Sequence, residues 1–281
     1  MCEFCHKHGE GRKWYLEAKN YSNDLLADTN RQKFIKEFFS PDNPVSQMRG
    51  RLAKLQKMPA LIRSVISRLV TRRMKKNHFG QVVPIEEVEQ IFNFVSSITR
   101  VACICRKHTL GEEKRYCYGI TLDRRGLTMG KIVAESDPTY AAGVNGGSFE
   151  RLTKEEALAA FREHEKEGCC HTVWTFGTPF IGGICNCDRS DCLAMQSTVT
   201  HSLRTMFRGE WIAHIDPVAC TGCRACMRVC QFGALTYSAG TKKTAVDPLR
   251  CYGCGICRSV CTKDAIHLDE RTAVPEAARL W

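Results

Sequence analysis

Cys220, Cys223, Cys226 and Cys230 form a C-x2-C-x2-C-x3-C run, and Cys251, Cys254, Cys257 and Cys261 repeat it 31 residues later. Thiolates at this spacing serve soft-metal chemistry. An iron–sulfur cluster needs thiolates at the corners of a compact cube. Three from one tight turn hold one side, and a fourth comes from elsewhere in the chain. Zinc knots also use C-x2-C pairs, but rarely two complete runs of this kind. The intervening residues agree. Gly222 and Gly253 occupy the same slot, where a side chain is expected to crowd the inorganic core and a positive φ is expected. Ala234 and Ala265 also match, each followed by an apolar residue, Leu235 or Ile266, that opens a strand.

The paired runs resemble the bacterial-type two-cluster ferredoxin domain over residues 211–270. That resemblance implies two 4Fe–4S clusters in which the fourth cysteine of each run serves the other cluster. One set would be Cys220, Cys223, Cys226 and Cys261. The other would be Cys251, Cys254, Cys257 and Cys230. The chain departs from the family where Pro usually follows the fourth cysteine. Gln231 and Thr262 stand there instead, and each restores a backbone N–H near a cluster.

A second constellation lies upstream: Cys103 and Cys105, then Cys117, then Cys169, Cys170 and His171, then Cys185, Cys187 and Cys192. The C-x-C pairs carry the argument. Alternate residues of an extended chain point the same way, so two such pairs supply four soft ligands. The set Cys103, Cys105, Cys117, Cys185, Cys187 and Cys192 is therefore the candidate for a third 4Fe–4S cluster, with structural zinc as the alternative and buried free thiols as the plain reading. Cys169 and Cys170 are neighbours that point apart, so at most one is expected to ligate. Gly182 and Gly183 before the late pair are expected to permit close backbone approach to a cluster. The order C-x-C-R at Cys103–Arg106, a helix at Leu152–Leu158, His171, and Cys185-Asn186-Cys187 is similar to Cys-rich domains fused ahead of ferredoxin modules in anaerobic electron-transfer proteins. Asp188 and Asp191 stand where such domains usually carry more cysteine.

Composition frames these sites. The chain has 281 residues, 18 of them Cys, and a hydrophobic fraction of 43%. So many thiols mean either a secreted disulfide scaffold or a reduced metal protein. The first residues lack an apolar leader, and no run approaches the ~20 apolar residues of a membrane span. The expectation is a cytoplasmic, reducing, anaerobic setting. Cys2, Cys5, His6 and His8 fit a small metal site, a c-type haem attachment pattern, or incidental thiols. Net charge is +11. Ten Lys or Arg and no acid lie between Asn43 and Ile85.

The elements follow from periodicity. Residues 46–76 carry Leu52, Leu55, Leu61, Ile62, Val65, Ile66, Leu69 and Val70 at helical spacing, with Pro59 dividing the stretch. A core-packed helix with a solvated basic face is the ordinary outcome. Docking of an acidic partner or a peripheral membrane surface are the functional ones, and nucleic acid is not expected. Pro84 with Glu86, Glu87 and Glu89 starts a helix. Thr153 with Glu156 makes a capping box, and Gly168 ends that helix. Gly143 to Gly147 lacks phosphate-loop spacing and reads as a turn.

These readings assemble into an α+β chain: a helical basic region at 1–80, a Cys-rich α+β middle domain at 81–210, and a ferredoxin-like two-cluster module at 211–281. In that module each helix follows its C-x2-C-x2-C run, and the tail at 275–281 forms a surface extension or a partner contact. The expected function is electron transfer, as a protein or subunit of an anaerobic oxidoreductase whose redox partner is a flavoprotein or reductase subunit. Residues 211–281 hold nine Lys or Arg against six acids, which suits a dedicated subunit better than a free acidic shuttle. The alternative is a reductase whose middle site binds substrate, with His171, Asp188 or Asp191 as odd ligand or proton donor. A cluster-based sensor ranks last, since no DNA-reading motif is present.

Overall fold

A computed structural model describes residues 13–124, 128–142 and 149–281. Cys2, Cys5, His6, His8 and the Gly143–Gly147 turn lie outside the described residues. The helices are α1 Asn23–Leu26, α2 Thr29–Phe39, α3 Met48–Gln56, α4 Ala60–Asn77, α5 Ile85–Phe94, α6 Ile104–Leu110, α7 Thr128–Ser136, α8 Pro138–Ala142, α9 Lys154–Lys166, α10 Leu193–Met195 and α11 Ala225–Val229. The strands are β1 Gly80–Val83, β2 Ser97–Val101, β3 Cys117–Thr121, β4 Glu150–Leu152, β5 Cys170–Thr175, β6 Ile181–Cys187, β7 Met206–Phe207, β8 Trp211–Ile215, β9 Leu235–Ser238, β10 Lys243–Val246 and β11 Ile266–Glu270. The class is α+β, as the patterning implies.

Seven strands form one sheet in the order β4-β2-β3-β6-β5-β1-β7. Among the described residues, only the β1–β7 pair is parallel. Every residue of β5 is buried, so this sheet is covered on both faces. One cover is aromatic and aliphatic: Trp14, Tyr15, Tyr21, Val88, Ile91, Phe92 and Phe161 join Tyr118, Ile120, Val173 and Ile184 of the strands. The other cover gathers Leu26, Ile35, Ile132, Val133, Tyr140, Trp174 and Phe176 with several cysteines, and continues into Phe232, Cys254 and Ile256.

Local signals set the ends of the helices. Pro84 is the residue before α5, and Thr153 and Glu156 exchange both capping-box bonds at the start of α9. Pro59 separates α3 from α4. Glu87 of α5 is buried and joins three parts of the chain. Tyr15 Oη donates to it at 2.6 Å, Trp211 Nε1 donates at 2.9 Å, and Lys13 Nζ lies at 3.6 Å. Burial raises its carboxyl pKa, and these partners hold it back.

The C-terminal module consists of two antiparallel pairs, β8 with β11 and β9 with β10. Its one α-helix, α11, lies inside the first cysteine run; the second run is a series of turns. The helix expected at the end of each C-x2-C-x2-C stretch is therefore present in the first run and absent from the second. Positive φ at Gly222 and Arg224 turns the chain tightly before α11, and positive φ at Gly253 and Gly255 keeps the second run in turns. The tail is no surface extension. Trp281 stacks on Phe207 at 4.3 Å and meets Phe79 edge-on at 5.6 Å, and Ala277 is fully buried.

The basic region also differs from the ordinary expectation. Helix α4 has no buried residue. Its inner side meets a small cluster of Leu52, Leu55 and Leu203 through Ile66 and Val70, while Leu61, Ile62, Val65 and Leu69 face solvent. The apolar period was real, but nothing among the described residues covers its outer half.

His78, at the end of α4, sits among the rings of Phe34, Phe38, Trp174 and Phe176 with Nδ1 2.5 Å from the Thr175 carbonyl. Burial lowers its pKa from 6.5 to about 4. Below pH 6.5 the unfolded chain takes up a proton that the folded one refuses. Stability therefore falls as pH drops toward 4, by about 2 kcal/mol from this group after discounting its partial exposure. In urea titrations the stability gap between the parent and His78→Gln should narrow by that amount over the same range.

Candidate iron–sulfur centres

Strand parity builds the middle-domain site. Cys170 pairs with Cys187 across β5 and β6, Thr172 pairs with Cys185, and Cys185 pairs with Cys117 of β3. Paired residues share a face, and so do residues two apart. Cys117, Cys170, Cys185 and Cys187 therefore all rise from one side of the sheet. His171 pairs with Asn186 on the opposite side, where Nδ1 meets Asn186 Oδ1 at 2.6 Å and the ring lies 5.0 Å from Phe161. This removes His171 as a ligand or proton donor at the thiols.

The remaining thiols descend onto that face from helix starts. Cys103 is the residue before α6 and Cys105 lies in its first turn; Cys192 is the residue before α10. The early C-x-C is thus not an extended pair, as expected, but a helix entry. The six sulfurs run as a chain. Cys185 and Cys117 are 3.0 Å apart. Cys103 lies beside Cys105 and Cys117, and Cys192 lies beside Cys105 and Cys187, and these neighbours pull both thiols below their ordinary pKa. The six candidates chosen from sequence are brought together. Among the described residues, no three His, Cys, Asp or Glu side chains are grouped to hold a single metal ion.

A buried cation borders the chain. Arg106 Nη1 donates to the Asn186 carbonyl at 3.1 Å and lies 3.9 Å from Cys103 Sγ; Nη2 pairs with Asp188 and lies 3.9 Å from Cys169 Sγ. Its guanidinium covers the Tyr116 ring at 3.7 Å. Burial opposes its charge, but Cys103, Asp188, Cys187 and Cys169 together raise its pKa above the ordinary value. Asp188 and Asp191, read from sequence as departures, both face this arginine. Cys169 turns to the same pair, and burial raises its thiol pKa to about 12. Gly182 and Gly183 serve packing: a Cβ would strike Met129 and Phe176 at the first and crowd the Tyr118 carbonyl at the second.

In the C-terminal module, Cys220, Cys223, Cys226 and Cys261 line one cavity, and Cys230, Cys251, Cys254 and Cys257 line another. Backbone N–H groups reach two sulfurs, from Ala213 to Cys251 at 3.5 Å and from Ala234 to Cys230 at 3.3 Å. Gly222 and Gly253 have φ of 69° and 74°. A Cβ there would collide with the Lys242 and Trp211 carbonyls, so the crowding partner is backbone and not the inorganic core. Burial raises the thiol pKa of Cys251, Cys254 and Cys257. Such thiols deprotonate when a cationic group enters the cavity beside them, and iron does so. The all-sulfur donor sets and the cavities between them fit a 4Fe–4S group.

The two halves meet at sulfur. Cys170 is near enough to Cys254 and to Cys192 for their charges to act on one another. Gln231, in place of the usual proline, stitches the same boundary: Nε2 donates to the Gly168 carbonyl at 2.7 Å, and Oε1 accepts from Arg189 N at 2.9 Å. Neither role was foreseen. Reading residues 170–175 as a strand would have put Cys170 on the thiol face by parity.

Comparison with known proteins bears on the last part of the chain. The family described as a 4Fe-4S dicluster domain matches residues 219–265. No curated protein and no solved structure matches. The chain carries a C-terminal ferredoxin-type domain with an iron–sulfur electron-transfer role. No helix among the described residues is long and apolar enough to cross a membrane.

Proposed function

We propose that this protein is an electron-transfer subunit of an anaerobic, cytoplasmic oxidoreductase, with two 4Fe–4S clusters in the C-terminal module and a third on the thiol face of the middle sheet. The observation that carries this reading is the shared core of Cys170, Cys187, Cys192, Phe232, Cys254 and Ile256, which packs the middle thiols against one ferredoxin cavity. Bound in these sites, the clusters supply single-electron transfer. The residues do the rest. Cys220, Cys223, Cys226 and Cys261 would hold one cluster at a solvent-facing end, since Cys223 is exposed. Cys251, Cys254, Cys257 and Cys230 would hold the second on the inner side. Any four of Cys103, Cys105, Cys117, Cys185, Cys187 and Cys192 would hold the third.

A drawn-out chain of sulfurs suits a polynuclear group better than a lone zinc ion, whose four ligands converge on one point. Six available thiols also permit full thiolate ligation, which favours relay over substrate binding. Arg106 compensates negative charge beside them, and the aromatic cover excludes water.

Iron and acid-labile sulfide per chain on anaerobically purified protein test this, with Mössbauer spectra to sort cluster types. About twelve irons with matching sulfide are expected, from four per site. About eight irons, with or without zinc, would remove the third cluster and leave a two-cluster carrier.

A further inference from the structure

Helix α4 presents a face that the rest of the chain leaves uncovered. Leu61 is 84% exposed, Ile62 52%, Val65 55% and Leu69 59%. Leu61, Val65 and Leu69 are spaced i, i+4, i+8, so they form one row about 12 Å long, with Ile62 beside it. Arg68, Arg72, Arg73 and Lys76 continue the exposed surface toward the helix end. The helix is held firmly from behind. Ser67 Oγ donates to the Ser202 carbonyl at 2.6 Å, and Ile66 and Val70 meet Leu52, Leu55 and Leu203. At its end Thr178 bonds to the Lys75 and Lys76 carbonyls, and Lys75 Nζ lies 4.4 Å over the Trp281 ring. The row is therefore presented outward on a fixed support.

We infer that α4, with the basic α3 beside it, binds the surface of an anionic phospholipid bilayer. Aliphatic tips followed by cations suit an interface where acyl chains lie under phosphates. Charge favours this occupant: ten Lys or Arg and no acid lie between Asn43 and Ile85, which matches a continuous anionic plane. Composition favours it over a protein groove. The exposed residues of α4 include no aromatic side chain, whereas the cores of protein interfaces are enriched in Tyr, Trp and Phe. The chain would lie on the membrane without crossing it.

Flotation of the full-length, cluster-loaded protein with vesicles tests this. The parent should float with phosphatidylcholine vesicles containing phosphatidylglycerol and stay behind with phosphatidylcholine alone. Combined Leu61→Ser, Val65→Ser and Leu69→Ser keeps every charge and should lower partitioning about 1000-fold, since each buried aliphatic side chain is worth about a decade. Combined Arg68→Gln, Arg72→Gln and Arg73→Gln should lower it about 100-fold, at roughly fivefold per cation. A measurement on the parent alone guards against a folding artefact in the variants: part of its binding should persist in high salt, because aliphatic insertion is not screened. Absence of flotation would overturn the inference. So would equal flotation of the serine variant, or complete loss in high salt, either of which means adsorption by charge alone.

Discussion

Cys254→Ala should lose about four irons per chain and melt roughly 10 °C below the parent, whereas Cys223→Ala should lose as many irons with a much smaller drop in Tm. The iron loss follows from the four-iron stoichiometry of each site. The difference in melting follows from position. Cys223 is exposed, while Cys254 is buried in the core shared with Cys170, Cys187 and Cys192. Emptying the inner cavity removes contacts on both sides of that boundary, worth about 3 kcal/mol, and in a chain of this size each kcal/mol moves Tm by about 2–4 °C. Iron assay and anaerobic thermal melts on the two variants decide the matter. Equal melting would mean that the inner cavity does not join the halves, and parental iron content in both would refute the ligand assignment.

Arg106→Met should destabilise the middle domain by about 3–5 kcal/mol, the usual result of removing one partner of a buried pair. Arg106 is 2% exposed, and its loss leaves Asp188 partly buried and uncompensated while freeing the Asn186 carbonyl. Arg106→Lys should recover only part of this, since a point charge cannot reproduce the fork that reaches Asn186 and Asp188 together. Asp188→Asn in the Met background should recover part by removing the stranded charge, which a double-mutant cycle in denaturant reads directly. A readout beyond stability distinguishes tuning from packing. With a cluster in the thiol pocket, its midpoint potential should fall by roughly 100 mV when the neighbouring cation is removed, on a Coulomb estimate at an effective dielectric of about 20. Potentiometric titration showing no shift would confine Arg106 to a structural role.

Local chemistry made much of this architecture legible. The cysteine spacing marked the C-terminal module because ligation fixes the chain at single-residue resolution. Pro84 and the Thr153–Glu156 pair marked helix starts because caps act within one turn. The six middle thiols could be nominated because soft ligands rarely cluster in sequence without reason. What stayed hidden depends on distant partners. Periodicity showed that α4 had an apolar row, but not whether anything covers it. Nothing local tells that Gln231 reaches Gly168, that Trp281 stacks on Phe207, or that Cys103 and Cys105 open a helix instead of continuing a strand. His171, named only in the alternative reading as an odd ligand or proton donor, neighbours Cys170, and that adjacency sends it to the opposite face.

The alternation along β5 and β6 gives the middle sheet something like a reading frame. An insertion of one residue before Cys185 would move Cys185 and Cys187 beneath the sheet and lift Asn186 in their place. The sequence would keep every cysteine and the domain would lose its sulfur face. Two residues inserted together would restore the side, at the expense of position. Change in this region should therefore collect in the turns, where length is free, and the strands should admit substitution far more readily than any shift by one.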